Sequence, residues 1–271
     1  MNRFHSSISW NSKSSPGSTE SETSNKASSG GDLQNHDLNW SSLGTQRSFF
    51  LPLHYTPSYK YPLLIWLHSD GYNETQIDHV MPHISLRNYI GVGIRGTFAV
   101  DNAGHRFQWR DSPASLATAQ DSVAAAMEEV SERFKIHSGR VVIAGYGMGG
   151  TMAMRIAMRE PARFAGVVSL GGRFPTSAIR NVSQLRARRL PMLWQWGQRN
   201  PRLQPEHLKS DFRSLMMIGG QVEVRQYPGE DEMDTVVLSD LDSWIMRRIV
   251  SGSAIADSDR WETSPTTCSN N

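Results

Sequence analysis

The hydrophobic positions of this chain alternate between short continuous runs and longer stretches with helical spacing. Continuous apolar runs of four to eight residues are typical of strands buried on both faces. The predicted strands are Phe49–Tyr55, Pro62–His68, Ile90–Arg95, Val141–Ala144, Ala165–Leu170, Met192–Trp196 and Val222–Tyr227. The predicted helices are Ser115–Phe134, Thr151–Arg159, Pro205–Met217 and Thr235–Val250.

Strands that alternate with helices predict an α/β fold with a mostly parallel sheet of about seven strands and helices on both faces. The longest helical pattern carries one apolar stripe of the kind that covers a sheet. That stripe consists of Leu116, Ala119, Val123, Met127 and Val130. Because only the short turn Thr56–Tyr61 joins the first two strands, we expect the first strand to be an antiparallel edge.

Composition divides the chain into three parts. Residues 1–46 are rich in serine and show no apolar period, which predicts a disordered leader. Residues 47–250 carry the alternating pattern and form the predicted domain, and residues 251–271 read as a disordered tail.

The charge and the cysteine content narrow the function classes. A net charge of +2 gives no reason to expect a nucleic-acid partner. Cys268 is the single cysteine, which excludes an internal disulfide framework and a thiolate metal cluster. The sequence shows neither a secretory signal nor an apolar run long enough to span a bilayer, so we expect a soluble, cytoplasmic protein.

The stretch VVIAGYGMGGTMAMRIAM, residues 141–158, predicts a strand, a sharp glycine turn and a helix. Gly145, Gly147 and Gly150 match G-x-G-x-x-G, which would make the turn a phosphate loop. No acidic residue follows about 20 positions on to hold a ribose. Alternatively, Gly145 and Gly149 flank a nucleophile elbow of the form G-x-S-x-G, in which Gly147 replaces the serine.

The second interpretation is supported by segments along most of the chain. YPLLIWLHSDG resembles the strand and oxyanion loop PLLVWLHGxG of the phospholipase/carboxylesterase branch of the α/β-hydrolase fold. FQWRDS resembles the aromatic-acidic segment of that branch, PMLWQWGQRNP its hGxxDP element, and VEVRQYPGEDE its YPGxHE element. These segments cover most of residues 47–250 in the order of the family, so the resemblance implies an α/β-hydrolase fold.

The resemblance implies a Ser, Asp, His triad, and each member falls on a different residue type. The serine falls on Gly147, the acid on Asn200 and the histidine on Asp231. Without a serine oxygen there is no covalent nucleophile, and triad members act as one unit. We therefore expect a degenerate, catalytically inactive triad.

The family mechanism also needs two backbone N–H groups that bind the oxyanion. The resemblance places one at Met148 and the other at Ser69 or Asp70. A site that keeps such donors but lacks the nucleophile predicts binding of an acyl group, a carboxylate or a protein partner, without turnover and without a cofactor.

Other side chains leave alternatives open. An active hydrolase would need a different base, such as Asp111 or Asp231, or one of six histidines. Those histidines are His68, His79, His83, His105, His137 and His207. A nucleotide-binding module that uses the Gly145–Gly150 loop is the third hypothesis.

Three further groups of residues have an ordinary structural interpretation beside a functional one. His79 and His83 have the spacing of a zinc pair, but Pro82 is expected to interrupt their helix and no third ligand is evident. Trp194 and Trp196 are expected in the core. A basic run could recruit anions near the end of a strand. That run contains Arg173, Arg180, Arg186, Arg188 and Arg189.

Overall fold

The computed structural model describes residues 46–175, 179–180, 182–201, 205–219, 221–230 and 232–251. The predicted leader, the tail beyond residue 251 and Asp231 lie outside the described residues. No helix among the described residues has the length and apolar character that a bilayer crossing requires.

The centre of the fold is a seven-stranded sheet. Its strands are β1 (Arg47–Phe50), β2 (Tyr61–Leu67), β3 (Ile90–Ile94), β6 (Ile136–Tyr146), β7 (Gly166–Leu170), β8 (Pro191–Gly197) and β9 (Gln221–Tyr227). The short strands β4 (Phe98–Ala99) and β5 (Phe107–Gln108) form a separate antiparallel pair. The spatial order is β1-β3-β2-β6-β7-β8-β9. Each of the seven predicted strands corresponds to a strand of this sheet, but the first covers Arg47–Phe50 rather than Phe49–Tyr55.

The first strand is an antiparallel edge, as predicted, and every other pairing in the large sheet is parallel. Its partner is β3 rather than β2, with Phe49 opposite Val92. β6 begins at Ile136, earlier than the apolar run indicates, because Ile136 pairs with Tyr61 before the buried part of the strand starts.

Helices cover both faces of the sheet. They are α1 (Gln76–Ile84), α2 (Pro113–Arg133), α3 (Met148–Arg159), α4 (Val182–Arg188), α5 (Pro205–Ile218) and α6 (Thr235–Ile245), which continues into a π-helical turn, Met246–Val250. The core on one face includes residues of α2, α3, α4 and α5, and the core on the other face includes residues of α1 and α6.

Helix α2 shows how the sequence sets an element. Ser112 accepts the N–H of Ser115 at the N-cap, and Pro113 follows where its missing N–H costs nothing. The predicted stripe is buried, except Met127, which is partly buried against the same core. The stripe therefore holds α2 against the sheet through apolar burial.

Helix α1 corrects one sequence prediction. Pro82 lies inside α1 and does not interrupt it, because only the hydrogen bond to Asp78 is lost and the helix ends two residues later at Ile84. The buried face of α1 supplies the stabilisation, through Ile77, Val80 and Met81.

Candidate functional site

The turn between β6 and α3 has the geometry of a nucleophile elbow. Gly147 is the single residue between the strand and the helix, and its backbone has φ 58° and ψ −124°. Residues with a side chain rarely adopt this backbone conformation, whereas glycine does so without steric penalty. The Gly147 N–H donates to Leu170 O at 2.8 Å, and Gly147 O accepts the Thr151 N–H at 3.1 Å. Backbone hydrogen bonds therefore fix the turn from both sides.

The glycines beside the elbow are required by close packing. A Cβ on Gly149 would lie 2.2 Å from Leu67 O, and one on Gly145 would lie 2.6 Å from the same atom. A Cβ on Gly150 would lie 2.5 Å from the Ser169 Oγ. Close packing thus accounts for Gly145 and Gly150, and the positive φ accounts for Gly147, so the G-x-G-x-x-G pattern is explained without a phosphate.

A cavity of about 290 Å³ opens directly over this turn, and we call it the elbow cavity. Its walls include Gly147, Met148, Thr151, Gly172, Arg173 and His207. Pro201, the residue after Asn200, also lines it. The elbow and the residue next to the predicted acid position therefore border one space.

The segment that follows β7 forms one wall of the elbow cavity. A Cβ on Gly172 would lie 2.6 Å from Gly147 O, so this segment rests directly on the elbow backbone. The Trp194 Nε1 donates to Gly172 O at 2.7 Å, and the Thr151 Oγ1 donates to Arg173 O at 3.0 Å. These bonds hold Arg173 beside the start of α3.

Asn200, the residue predicted at the acid position, is buried just after β8. Its Nδ2 donates to Gly171 O at 3.3 Å, and its backbone N–H donates to Gly197 O at 3.1 Å. An ionised aspartate has no donor and would face the Gly171 carbonyl with a negative charge. The amide is therefore the group that suits this position.

The two candidates for the second oxyanion donor differ in their surroundings. The Ser69 N–H donates to the Gln76 Oε1 at 3.1 Å, and the Ser69 Oγ accepts from the Gln76 Nε2. The Ser69 N–H is thus engaged by Gln76 in this structure, and Ser69 and Asp70 both stay predictions for the second donor. Met148 is the first residue of α3, so its N–H has no partner within the helix.

A family model of phospholipases and carboxylesterases matches residues 99–249, which include the elbow, the described residues that line the cavity and strands β5 to β9. The chain belongs to this family. The mouse (Mus musculus) lysophospholipase-like protein 1 is 28% identical over 155 residues, which are 51% of this chain. The chain spans 60% of the length of that relative.

Solved structures, among them a carboxylesterase, share the fold of this family member. The Bacillus cereus carboxylesterase is 14% identical, with a TM-score of 0.61, over 77% of this chain and 96% of its own. A variant of Arabidopsis thaliana SOBER1 is 21% identical, with a TM-score of 0.56, over 69% of this chain and 99% of its own. The α/β-hydrolase fold that the sequence predicted is confirmed.

His68, in the loop after β2, is a structural histidine of this hydrolase fold. It is fully buried, its Nε2 accepts the Gly96 N–H at 2.8 Å, and its Nδ1 lies 2.7 Å from Ser69 O. This pattern fits the neutral tautomer with hydrogen on Nδ1. Burial lowers the pKa of His68 to about 4, which the Ser69 carbonyl opposes only in part. Both ring nitrogens therefore bind backbone and are not available to act as a base.

Several other predicted site residues lie away from the elbow cavity. Asp111 forms an ion pair with the buried Arg155, so its charge is already compensated. His79 contacts Thr75 O, whereas His83 contacts the Thr235 hydroxyl. No group of three or more potential metal ligands occurs among the residues that the structure describes.

The basic run is distributed over separate places. Arg186 donates to Met217 O and Arg188 donates to Phe164 O, so both hold neighbouring elements together. Only Arg173 among the five lines the elbow cavity. Trp194 and Trp196 pack in the core as predicted, with ring centroids 4.6 Å apart.

The sequence did not single out Arg173 and His207 as a pair. They are far apart in the chain, and nothing in the pattern shows that α5 brings His207 to the elbow. The one indication in the sequence was that His207 lies in α5, the helix directly before β9. Asp231, the predicted base position, lies outside the described residues.

Proposed function

We propose that this chain is a pseudo-hydrolase, which keeps the family fold and binds a ligand or a protein partner at the elbow cavity without turning it over. The observation that carries the proposal is Gly147 at the centre of the elbow. A residue without a side chain offers no oxygen to attack a carbonyl, so no acyl-enzyme forms.

The predicted acid position supports the same proposal. The Asn200 amide donates to Gly171 O, which is a structural use that a catalytic aspartate does not have. A neutral amide also provides no charge to stabilise an imidazolium. Gly147 thus removes the nucleophile of the triad mechanism, and Asn200 removes its acid.

A direct test is labelling with a fluorophosphonate probe together with hydrolysis of p-nitrophenyl esters. We expect neither labelling nor turnover above the solvent rate. The matched control is Gly147→Ala, which keeps a residue without oxygen at the elbow and must behave like the wild type. Labelling of the wild-type protein would overturn the proposal.

The position of His207 favours a second candidate, an esterase in which water replaces the serine. His207 lines the elbow cavity, and Asp211 follows one turn later on α5. In this hypothesis His207 takes a proton from water, and the resulting hydroxide attacks the ester carbonyl. The ester C–O bond then breaks, and the alcohol leaves with the proton that His207 returns. Ester hydrolysis that is lost in His207→Gln but retained in His79→Gln would favour this candidate.

A further inference from the structure

The elbow cavity has the size for a small organic molecule, and glycines form part of its wall. Its volume is about 290 Å³, close to the lower end of the range for small-molecule pockets. Gly147, Gly171 and Gly172 supply three wall positions without side chains. A ligand can therefore approach the start of α3 closely.

The wall of the cavity offers positive charge or N–H donors on three sides. Helix α3 has twelve residues and begins at the cavity, so its first N–H groups and its dipole favour negative charge. Arg173 adds a guanidinium from the segment after β7, and His207 adds a ring N–H from α5. The described residues that line the cavity include no carboxylate.

The acidic groups nearby are kept out of this wall. Asp211 is buried, and its pKa is raised by burial, although Arg173, the Phe174 N–H and His207 act against this shift. Glu230 and Glu232 border a separate, nearly filled space beyond Gly171. Asp211, Glu230 and Glu232 are therefore not among the described residues that line the elbow cavity, whereas Arg173 and His207 are.

We propose that the elbow cavity binds a small organic carboxylate, with Arg173 and His207 as the side chains that hold the carboxylate at the start of α3. Arginine pairs with carboxylate oxygens through two parallel N–H groups, and the helix N–H groups complete the contact. A carboxylate is also the acid that ester hydrolysis leaves behind, so the ligand resembles a product of family chemistry. This inference rests on the proposed function. In an active enzyme a bound carboxylate product would inhibit turnover, whereas in an inactive protein it can be the ligand itself.

The test measures binding of butyrate to the full chain by titration calorimetry, with butyramide as the neutral analogue of the same shape. We expect butyrate to bind at least about tenfold more tightly than butyramide, because only the anion pairs with Arg173. Arg173→Gln and His207→Gln are expected to weaken butyrate binding about tenfold and severalfold, respectively. Arg87→Gln, which removes an exposed charge near the start of β3, must leave binding unchanged.

Three results would overturn this inference. They are equal binding of butyrate and butyramide, unchanged affinity in Arg173→Gln, and binding of inorganic phosphate as tight as that of butyrate. These results leave the proposed function untouched, since it is tested by fluorophosphonate labelling. Conversely, labelling of the wild type would overturn the proposed function even if butyrate binds as expected.

Discussion

The elbow and the two loops that face it are held by different kinds of interaction. The turn at Gly147 is fixed by backbone hydrogen bonds and by glycines in contact with the backbone of β2 and its loop. The loop after β2 is fixed by the His68 ring, and the loop after β8 by the Asn200 amide. The elbow is therefore sensitive to added volume, whereas the facing loops are sensitive to a change of charge.

The largest effect is expected from Gly149→Ala, which tests the packing of the elbow. The new Cβ would lie 2.2 Å from Leu67 O and 2.3 Å from His68 O, so the helix must move away from β2. We expect a loss of about 3 kcal/mol or more in the free energy of unfolding, measured by urea denaturation.

Gly139→Ala is the matched control, because its Cβ would meet only the end of the His137 side chain, at 3.3 Å. We expect a change of less than about 1 kcal/mol there. Equal losses in the two variants would show that close contact does not explain the glycine at position 149.

The second effect concerns the pH dependence that His68 gives to its loop. The folded-state pKa of about 4 lies below the ordinary histidine pKa of 6.5, so the unfolded state binds the proton more readily. Stability conferred by the neutral ring is complete above pH 6.5 and falls as the pH drops towards 4, by about 3 kcal/mol at most.

The measurement compares the free energy of unfolding at pH 7 and pH 4.5 in the wild type and in His68→Asn. The variant should lose less stability on acidification than the wild type does. His79→Asn, at an exposed position, should keep the wild-type difference. An identical pH dependence in the wild type and His68→Asn would contradict the assignment of a neutral buried ring.

These contacts also show how far the sequence predicts the structure. The apolar runs predicted all seven strands of the sheet, because buried parallel strands need continuous apolar side chains. They missed α1, where Pro82 suggests a break, and α4, which buries only Leu185. Packing of its buried face stabilises α1 despite Pro82, whereas α4 buries too few residues to show an apolar stripe.

The candidate site was predictable in part for a physical reason. The elbow is one contiguous segment, so its strand, turn and helix can be read directly from residues 141–158. The elbow cavity is assembled from α3, the segment after β7, and α5, so the meeting of Arg173 with His207 depends on tertiary structure. The Ser69 N–H donates to the Gln76 Oε1 at the start of α1, a contact that the sequence pattern did not show because it depends on how α1 packs beside the loop after β2.

A smaller effect is expected from Asn200→Asp, which tests the loop after β8. The carboxylate would face Gly171 O without a proton to donate, so we expect a loss of about 2 kcal/mol at pH 7. Because the folded state raises the pKa of this new carboxyl, its protonated form donates and the loss shrinks as the pH falls.

Asn200→Ala is the matched variant, since it removes the donor but adds no charge. Its loss should be about 1 kcal/mol and independent of pH. If the aspartate variant is as stable as the wild type at pH 7, the amide does not hold this loop.

The smallest effect on stability is expected from Gly147→Ser, which restores an oxygen at the elbow. A side chain at φ 58° and ψ −124° costs about 1 to 2 kcal/mol, and Gly147→Ala should cost the same. With Asn200 and Asp231 unchanged, we expect the serine variant to remain unlabelled by fluorophosphonate, because a hydroxyl without a base is a weak nucleophile.

Labelling of Gly147→Ser that disappears in the double variant with His207→Gln would show that His207 serves as a base, and the elbow would then lack only its nucleophile. Labelling of the triple variant Gly147→Ser, Asn200→Asp, Asp231→His alone would instead place the missing acid and base at the two facing positions.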